Sequence, residues 1–163
     1  MQQNSPFCLL DRLTDNDPSS ASDAPLSRAQ HREQTKRSVI RDLEWLLNAE
    51  TSRDLPTDLS GSVCTLSTLD FGLPPLSGRT ASELDVHSLE LEIARRIQFF
   101  EPRINPQTLR VQAEQEVSLL NRHNVIGFHI HAQLMYTPSP IELTLRTQID
   151  LESGQVHMTP LLG

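Results

Sequence analysis

The chain has 163 residues and a formal net charge of −7 at pH 7. This length is typical of one domain with a single core, and the acidic balance argues against non-specific nucleic-acid binding, which needs a basic surface. The acidic excess lies in residues 38–163, because residues 1–37 hold five acidic and five basic side chains out of 21 and 14 in the whole chain. Since no long apolar stretch and no signal peptide is evident, we expect a cytoplasmic protein without direct membrane insertion.

Residues 1–37 are predicted to be a docking segment joined to a flexible linker. Residues 15–24 are rich in serine, aspartate and proline and hold no large apolar residue, so nothing there offsets the entropy of ordering the chain. Ahead of this linker, four apolar residues fall on one helical stripe. Such a stripe must bury itself either against its own domain or in the groove of a partner. The stripe consists of Phe7, Leu9, Leu10 and Leu13.

Residues 38–163 are predicted to form the folded domain, beginning with a helix. Ser27 and Gln30 fit a capping box, so a helix can begin there, although the residues that follow are polar all round. Apolar residues recur at helical spacing over residues 38–48. The sequence therefore predicts this helix chiefly over residues 38–48.

A second helix is predicted to begin after Thr80. Thr80 and Glu83 fit another capping box, and Pro102 ends the helix near Phe100 because a residue before proline is driven out of the helical region. The apolar stripe that would face the core consists of Val86, Leu89, Ile93, Ile97 and Phe100.

The remainder of the chain alternates apolar and polar residues, which is typical of half-buried strands. One strand is predicted around residues 109–113, a second over 128–136, a third over 141–151 and a last short piece over 156–158. Helices followed by strands indicate an α+β fold, with two main helices packed on a small antiparallel sheet of three to four strands and an extended N-terminal segment.

The tripeptide Glu101-Pro102-Arg103 is the first candidate for function. A carboxylate at the C-terminal end of a helix faces the negative end of the helix dipole, which costs from a few tenths to about 1 kcal/mol. Pro102 keeps Glu101 extended, so Glu101 and Arg103 can project to the same side as an opposite-charge pair on a stiff corner. The alternative is a surface ion pair with little effect on stability.

Motifs for catalysis, metal binding and cofactor binding are missing or weak. His129 and His131 lie two apart and share one face of a strand, but no third ligand follows at a typical spacing. Cys8 and Cys64 are too few for a disulfide framework. Paired carboxylates suggest a glycoside hydrolase, yet one Trp, one Tyr and five Phe give little material for a sugar-binding cleft. We therefore assign no catalytic residue, no metal ligand and no cofactor. The carboxylates considered are Glu83, Asp85, Glu90, Glu92 and Glu101.

Five segments in order carry a resemblance to a known family. They are SPFCLLDRL near the start, SVIRDLEWLLN, LDFGLPPLSG, IQFFEPRI and LRTQIDLESGQV. Together they resemble the TssE family of type VI secretion system baseplate subunits, which is related to the small baseplate wedge protein of contractile phage tails. The resemblance extends over nearly the whole chain.

The resemblance implies a structural subunit of the baseplate wedge that docks the contractile sheath onto the baseplate. It implies a place beside TssF and TssG, with TssK as a further neighbour, at the cytoplasmic face of the inner membrane. The family's Glu-Pro-Arg motif, associated with sheath attachment, corresponds to Glu101, Pro102 and Arg103. An old label for the family, lysozyme-like, leaves a peptidoglycan-active glycoside hydrolase as the alternative function.

Overall fold

The computed structural model describes residues 8–15, 19, 25–51, 68–78, 84–114 and 124–161. Its helices and strands confirm the α+β fold with two main helices and a four-stranded antiparallel sheet. Within the N-terminal segment, which is predicted to be extended, the described residues include a short helix. The helices and strands are α1 (Leu9–Leu13), α2 (Arg28–Asn48), a 3-10 turn (Thr68–Asp70), α3 (Val86–Phe100), β1 (Arg110–Ala113), β2 (Val125–Leu134), β3 (Ile141–Asp150) and β4 (Val156–Pro160).

The sheet is an antiparallel meander in the order β1-β2-β3-β4. At its centre, Ile130 lies opposite Val111 on one side and Leu145 on the other. The burial of side chains alternates along β2 and β3, as the sequence predicts for strands with one face on a core. The inward-facing side chains at the centre of the sheet are fully buried: Phe128, Ile130, Leu143 and Leu145 are each 0% exposed.

Both long helices cover the same face of this sheet. α3 lies over β1, α2 lies over β3 and β4, and the two helices contact each other. Their apolar stripes are the ones predicted from the sequence, since Leu43 and Ile93 are completely buried at the layer interface. This arrangement brings the C-terminal end of α3 beside the middle of α2, where the candidate corner lies.

The helix boundaries differ from the predicted ones in two places. α2 begins at Arg28 under the Ser27 capping box, so it runs without interruption through residues 37 and 38, where we place the domain boundary. That boundary and the linker stay predictions, because most of residues 15–24 lie outside the described residues.

The predicted start of α3 at Thr80 is wrong. α3 begins at Val86, because the side chain of Asp85 accepts hydrogen bonds from the backbone N–H groups of His87 and Ser88 and so caps the helix there. Thr80 and Glu83, the predicted capping box, lie outside the described residues, as does Phe7. The predicted end at Phe100 is confirmed.

Candidate functional site

The corner after α3 is attached to the far end of β2. The backbone oxygen of Arg103 accepts a hydrogen bond of 2.7 Å from the N–H of Met135, and the N–H of Asn105 donates one of 2.8 Å to the oxygen of Gln133. Ile104 forms an isolated bridge with Leu134 between these two bonds. The corner is therefore a fixed extension of the sheet's edge and not a free loop.

Glu101 and Arg103 form the opposite-charge pair that the sequence predicts. Nε of Arg103 donates to Oε1 of Glu101 at 2.7 Å, and Nη2 donates to Oε2 at 2.5 Å. The backbone N–H of Arg103 also donates to Oε1 at 3.1 Å. Glu101 is 4% exposed and Pro102 between them is exposed, so the pair points into the molecule and the proline faces solvent.

Two residues of α2 complete the surroundings of Arg103. Nη1 of Arg103 donates to the hydroxyl of Ser38 at 2.8 Å, and Nη2 lies 2.5 Å from Oδ2 of Asp42. Burial lowers the pKa of the Arg103 guanidinium, but the hydrogen bonds and charges of Glu101 and Asp42 outweigh it and raise that pKa overall. Arg103 is thus held cationic between two carboxylates from separate elements.

The same part of α2 holds α1. Asp11 of α1 accepts a hydrogen bond of 2.5 Å from the hydroxyl of Ser38 and lies 2.8 Å from Nη1 of Arg41. Arg41 in turn lies 2.7 Å from Oδ1 of Asp42. Burial raises the pKa of Asp11, but hydrogen bonds from Ser38, Cys8 and Arg41 outweigh it and lower the pKa to about 2.

These contacts join into one ionic cluster with a formal charge of −1, because it holds three carboxylates and two guanidiniums. Sequence reasoning found only the pair at the corner. The α2 members could have been found, since their spacing of three and four residues places them on one side of a helix. No local pattern indicated the α1 member. The ionic cluster consists of Asp11, Ser38, Arg41, Asp42, Glu101 and Arg103.

The leucines of α1 are not buried against their own domain. Leu9 is 70% exposed, Leu13 is 73% exposed and Leu10 is 42% exposed. α1 has no buried residue within the described part of the chain, and its side-chain contacts with α2 run through Asp11 and Cys8. The sequence left two possibilities for the predicted apolar stripe, burial against its own domain or burial in a partner. The structure does not show these three leucines buried against their own domain.

An aromatic cleft borders the ionic cluster. It lies between α2 and the corner, where Trp45, Phe71, Phe100 and Pro102 line it together with Cys8. Trp45 is 53% exposed, and the guanidinium of Arg41 stacks over its ring at 5.0 Å. Large exposed aromatic rings beside arginine are typical of the energetic centres of protein interfaces. Sequence reasoning did not single out these aromatic residues.

A buried arginine, Arg96, fixes one wall of the cleft. Arg96 of α3 lies 2.7 Å from the carboxylate of Asp70 in the 3-10 turn and 2.6 Å from Glu92 one helical turn earlier. It also donates to the backbone oxygen of Asp70. These contacts hold the turn against α3, so that Phe71 packs edge to face on Phe100 at 5.2 Å between ring centroids.

The residues considered for catalysis have structural contacts. Asp85 caps α3, Glu90 accepts a hydrogen bond of 2.6 Å from the backbone N–H of Ala113, and Glu92 pairs with Arg96. On the outer face of the sheet, Glu114 forms an ion pair with Arg146 at 2.6 Å.

The two histidines considered as metal ligands contact different neighbours. His129 lies 3.3 Å from Glu114, and His131 lies 3.3 Å from the hydroxyl of Thr144. Among the described residues, no three His, Cys, Asp or Glu side chains are grouped so that they could hold a metal ion. The described helices include none that is long and apolar enough to cross a membrane.

Comparison with known families identifies the class of protein. A family model described as baseplate wedge protein gp25 matches residues 33–139, which is 107 of the 163 residues. The chain belongs to this family of baseplate structural proteins, which is also the family of TssE, and the resemblance stated from the sequence is confirmed. Neither a curated protein nor a solved structure matches the chain.

The matched region contains most of the ionic cluster. It includes α2 from residue 33 onward, the corner and the first two strands, and it excludes α1 with Asp11. Membership of the family indicates a phage-baseplate-like structural protein that associates with other baseplate components.

Proposed function

We propose that this chain is a non-enzymatic subunit of the type VI secretion baseplate wedge and docks the contractile sheath through the corner Glu101-Pro102-Arg103. The observation that carries this proposal is the ionic cluster, which fixes the corner from inside the molecule while Pro102 stays exposed beside the aromatic cleft. A surface ion pair of little effect on stability would not bury its carboxylate or contact Ser38 and Asp42 of another helix.

The contribution of Glu101 and Arg103 to docking is preorganisation. Both side chains are already desolvated and paired in the free protein, since Glu101 is 4% exposed and the Arg103 side chain is 15% exposed. A partner that contacts the corner therefore meets a rigid surface and does not have to order it. Pro102 and the neighbouring rings of Trp45 and Phe99 supply the exposed contact area.

α1 supplies a second contact. Leu9 and Leu13, one helical turn apart, present an apolar stripe that would be buried in a groove of a neighbouring wedge subunit, TssF or TssG, with TssK as a further neighbour. Phe7 and Leu10 complete the proposed stripe. The linker over residues 15–24 would act as a tether that keeps this stripe at high local concentration. The assembly would form in the cytoplasm, at the cytoplasmic face of the inner membrane.

Sheath assembly in cells tests the corner. Pro102→Ser changes only the exposed residue of the motif, and Glu101→Gln weakens the support behind it. Both variants should reduce the number of assembled sheaths at normal protein levels. The matched control is Glu114→Gln, which breaks an ion pair with Arg146 at a distant part of the sheet. Normal sheath assembly with both corner variants would overturn the proposed role of the corner.

Capture of wedge subunits tests α1. The double variant Leu9→Ser/Leu13→Ser keeps Asp11 and its contacts, so the fold should be unaffected while capture of the wedge subunits falls. Leu91→Ser is the matched control, because Leu91 is a 59% exposed leucine on α3. Equal loss of capture in both proteins would show that a general loss of surface hydrophobicity is responsible.

The alternative function makes an opposite prediction. A peptidoglycan-active glycoside hydrolase would show turnover with purified protein, and one carboxylate substitution would abolish that turnover. Such a result would overturn the non-enzymatic assignment. No turnover, together with recovery of the chain in a complex with sheath and wedge subunits, would support it.

A further inference from the structure

We propose that the ionic cluster couples α1 to the corner, so that release of α1 loosens the corner and disturbance of the corner releases α1. The coupling is a property of the free protein. During assembly, binding of a partner to α1 would change the affinity of the corner for its partner, and the reverse. This role in assembly rests on the proposed function.

α1 has the character of a two-state element. It has five residues, and helices of this length are not stable alone in water. Its leucines are exposed, so its docked position depends on the polar contacts of Asp11 with Ser38 and Arg41 and on a 3.5 Å contact of Arg41 with the thiol of Cys8. No residue of α1 is buried, and Leu9 and Leu13 are mostly exposed, so release of α1 loses little burial of these two side chains.

Two side chains of α2, those of Ser38 and Asp42, link α1 to the corner. Ser38 contacts both directly, and Asp42 reaches α1 through Arg41. The hydroxyl of Ser38 donates to Asp11 at 2.5 Å and accepts from Arg103 at 2.8 Å. Asp42 contacts Arg41 through Oδ1 at 2.7 Å and Arg103 through Oδ2 at 2.5 Å. The positions of both bridging groups therefore depend on what happens at either end of the cluster.

Removal of Asp11 from the cluster changes the balance of these contacts. The Ser38 hydroxyl loses the acceptor that fixes its orientation toward Arg103, and Arg41 is left with Asp42 as its remaining carboxylate. Asp42 is then shared less evenly between the two guanidiniums. Because coupling free energies are reciprocal, a docked α1 that stabilises the corner implies that an intact corner stabilises the docking of α1 by the same factor.

The reactivity of Cys8 toward a thiol reagent measures the docking of α1. The Cys8 thiol is half-buried and lies 3.5 Å from Nη2 of Arg41 in α2, so docking of α1 shields it from the reagent. The full chain with Cys64→Ser leaves this thiol alone, since the sequence has two cysteines. Rates are divided by those of the unfolded chain at the same pH to remove intrinsic differences.

We expect Glu101→Gln to raise the normalised rate of Cys8 by about fivefold or more. Glu114→Gln, the control outside the cluster, should leave it unchanged. If Glu101→Gln fails to fold, Arg103→Lys is used, because lysine keeps the charge and cannot contact Ser38, Asp42 and Glu101 together. An unchanged Cys8 rate in a folded corner variant overturns the coupling.

The reciprocal measurement uses Asp11→Asn and amide hydrogen exchange. The N–H of Arg103 donates to Glu101, so loosening of the corner by Asp11→Asn should speed the exchange of this amide. Unchanged exchange overturns the coupling. Failure of this inference is distinct from failure of the proposed function, because both measurements use the free protein whereas sheath assembly tests the docking role.

Discussion

Removing the charge of Glu101 tests the energetic basis of the corner. The helix end by itself predicts that Glu101→Gln stabilises the protein slightly, by no more than about 1 kcal/mol, because the carboxylate faces the negative end of the α3 dipole. The structure adds a buried ion pair with Arg103 at 2.5 Å, which the substitution removes. The sign of the effect depends on which contribution is larger.

The ion pair is expected to dominate. Breaking a buried pair by removing one partner typically costs about 3 to 5 kcal/mol, since the other charge stays buried. Arg103 keeps Asp42 and Ser38, and glutamine can still accept one hydrogen bond, so the loss here should be smaller. After subtraction of the dipole gain, we expect a net destabilisation of about 1 to 3 kcal/mol.

Urea unfolding followed by the fluorescence of Trp45, the one tryptophan of the chain, measures this value. Glu33→Gln is the matched control: the Glu33–Arg37 pair is exposed on α2, with side chains 57% and 77% exposed, and should change stability by at most about 0.5 kcal/mol. A double-mutant cycle with Arg103→Gln isolates the pairwise contribution. A Glu101→Gln protein as stable as the wild type, or more stable, would refute the conclusion that the pair holds the corner.

Three other predictions, two substitutions and one titration, follow from the structure. Thr147→Val should raise the free energy of unfolding by about 1 kcal/mol, because the completely buried Thr147 hydroxyl has no hydrogen-bond partner among the described residues; no gain in the urea midpoint would contradict this. Gly72→Ala should cost about 3 kcal/mol or more, since Gly72 has a φ of 114° and an added Cβ would lie 2.3 Å from the oxygen of Ala49. Gly78→Ala is its control in thermal melts, with a φ of 78° in open space and an expected cost of about 1 kcal/mol. For Asp11, a folded pKa of about 2 against 3.8 means that its stabilisation is complete only above about pH 5 and is lost progressively as the pH falls through 3.8 toward 2; a carbon-13 titration of its carboxyl group would show the lowered pKa, and a midpoint near 3.8 would contradict the docking of α1.

The sequence by itself determined the regular elements of this protein. Leu43 and Ile93 lie on apolar stripes with helical spacing, and Leu143 and Leu145 lie on a stripe that alternates as in a strand. Each stripe shows which face of its own element is buried, whatever element packs against it. The pairing of Glu101 with Arg103 was predictable for the same reason. Pro102 restricts the backbone between them, and two residues on an extended segment share a side.

Only the tertiary structure decided what surrounds that pair. Ser38 and Asp42 lie 65 and 61 positions before Arg103 in the chain, and no local period relates them. Asp11 joins the same group from the other side of residues 15–24, the predicted linker, where no sequence periodicity relates α1 to α2, so its contact with Arg41 depends on how α1 meets α2. Local patterns fix which face of an element is buried, but the partner of a buried charge is set by the packing of elements distant in sequence, which is where the ionic cluster arises.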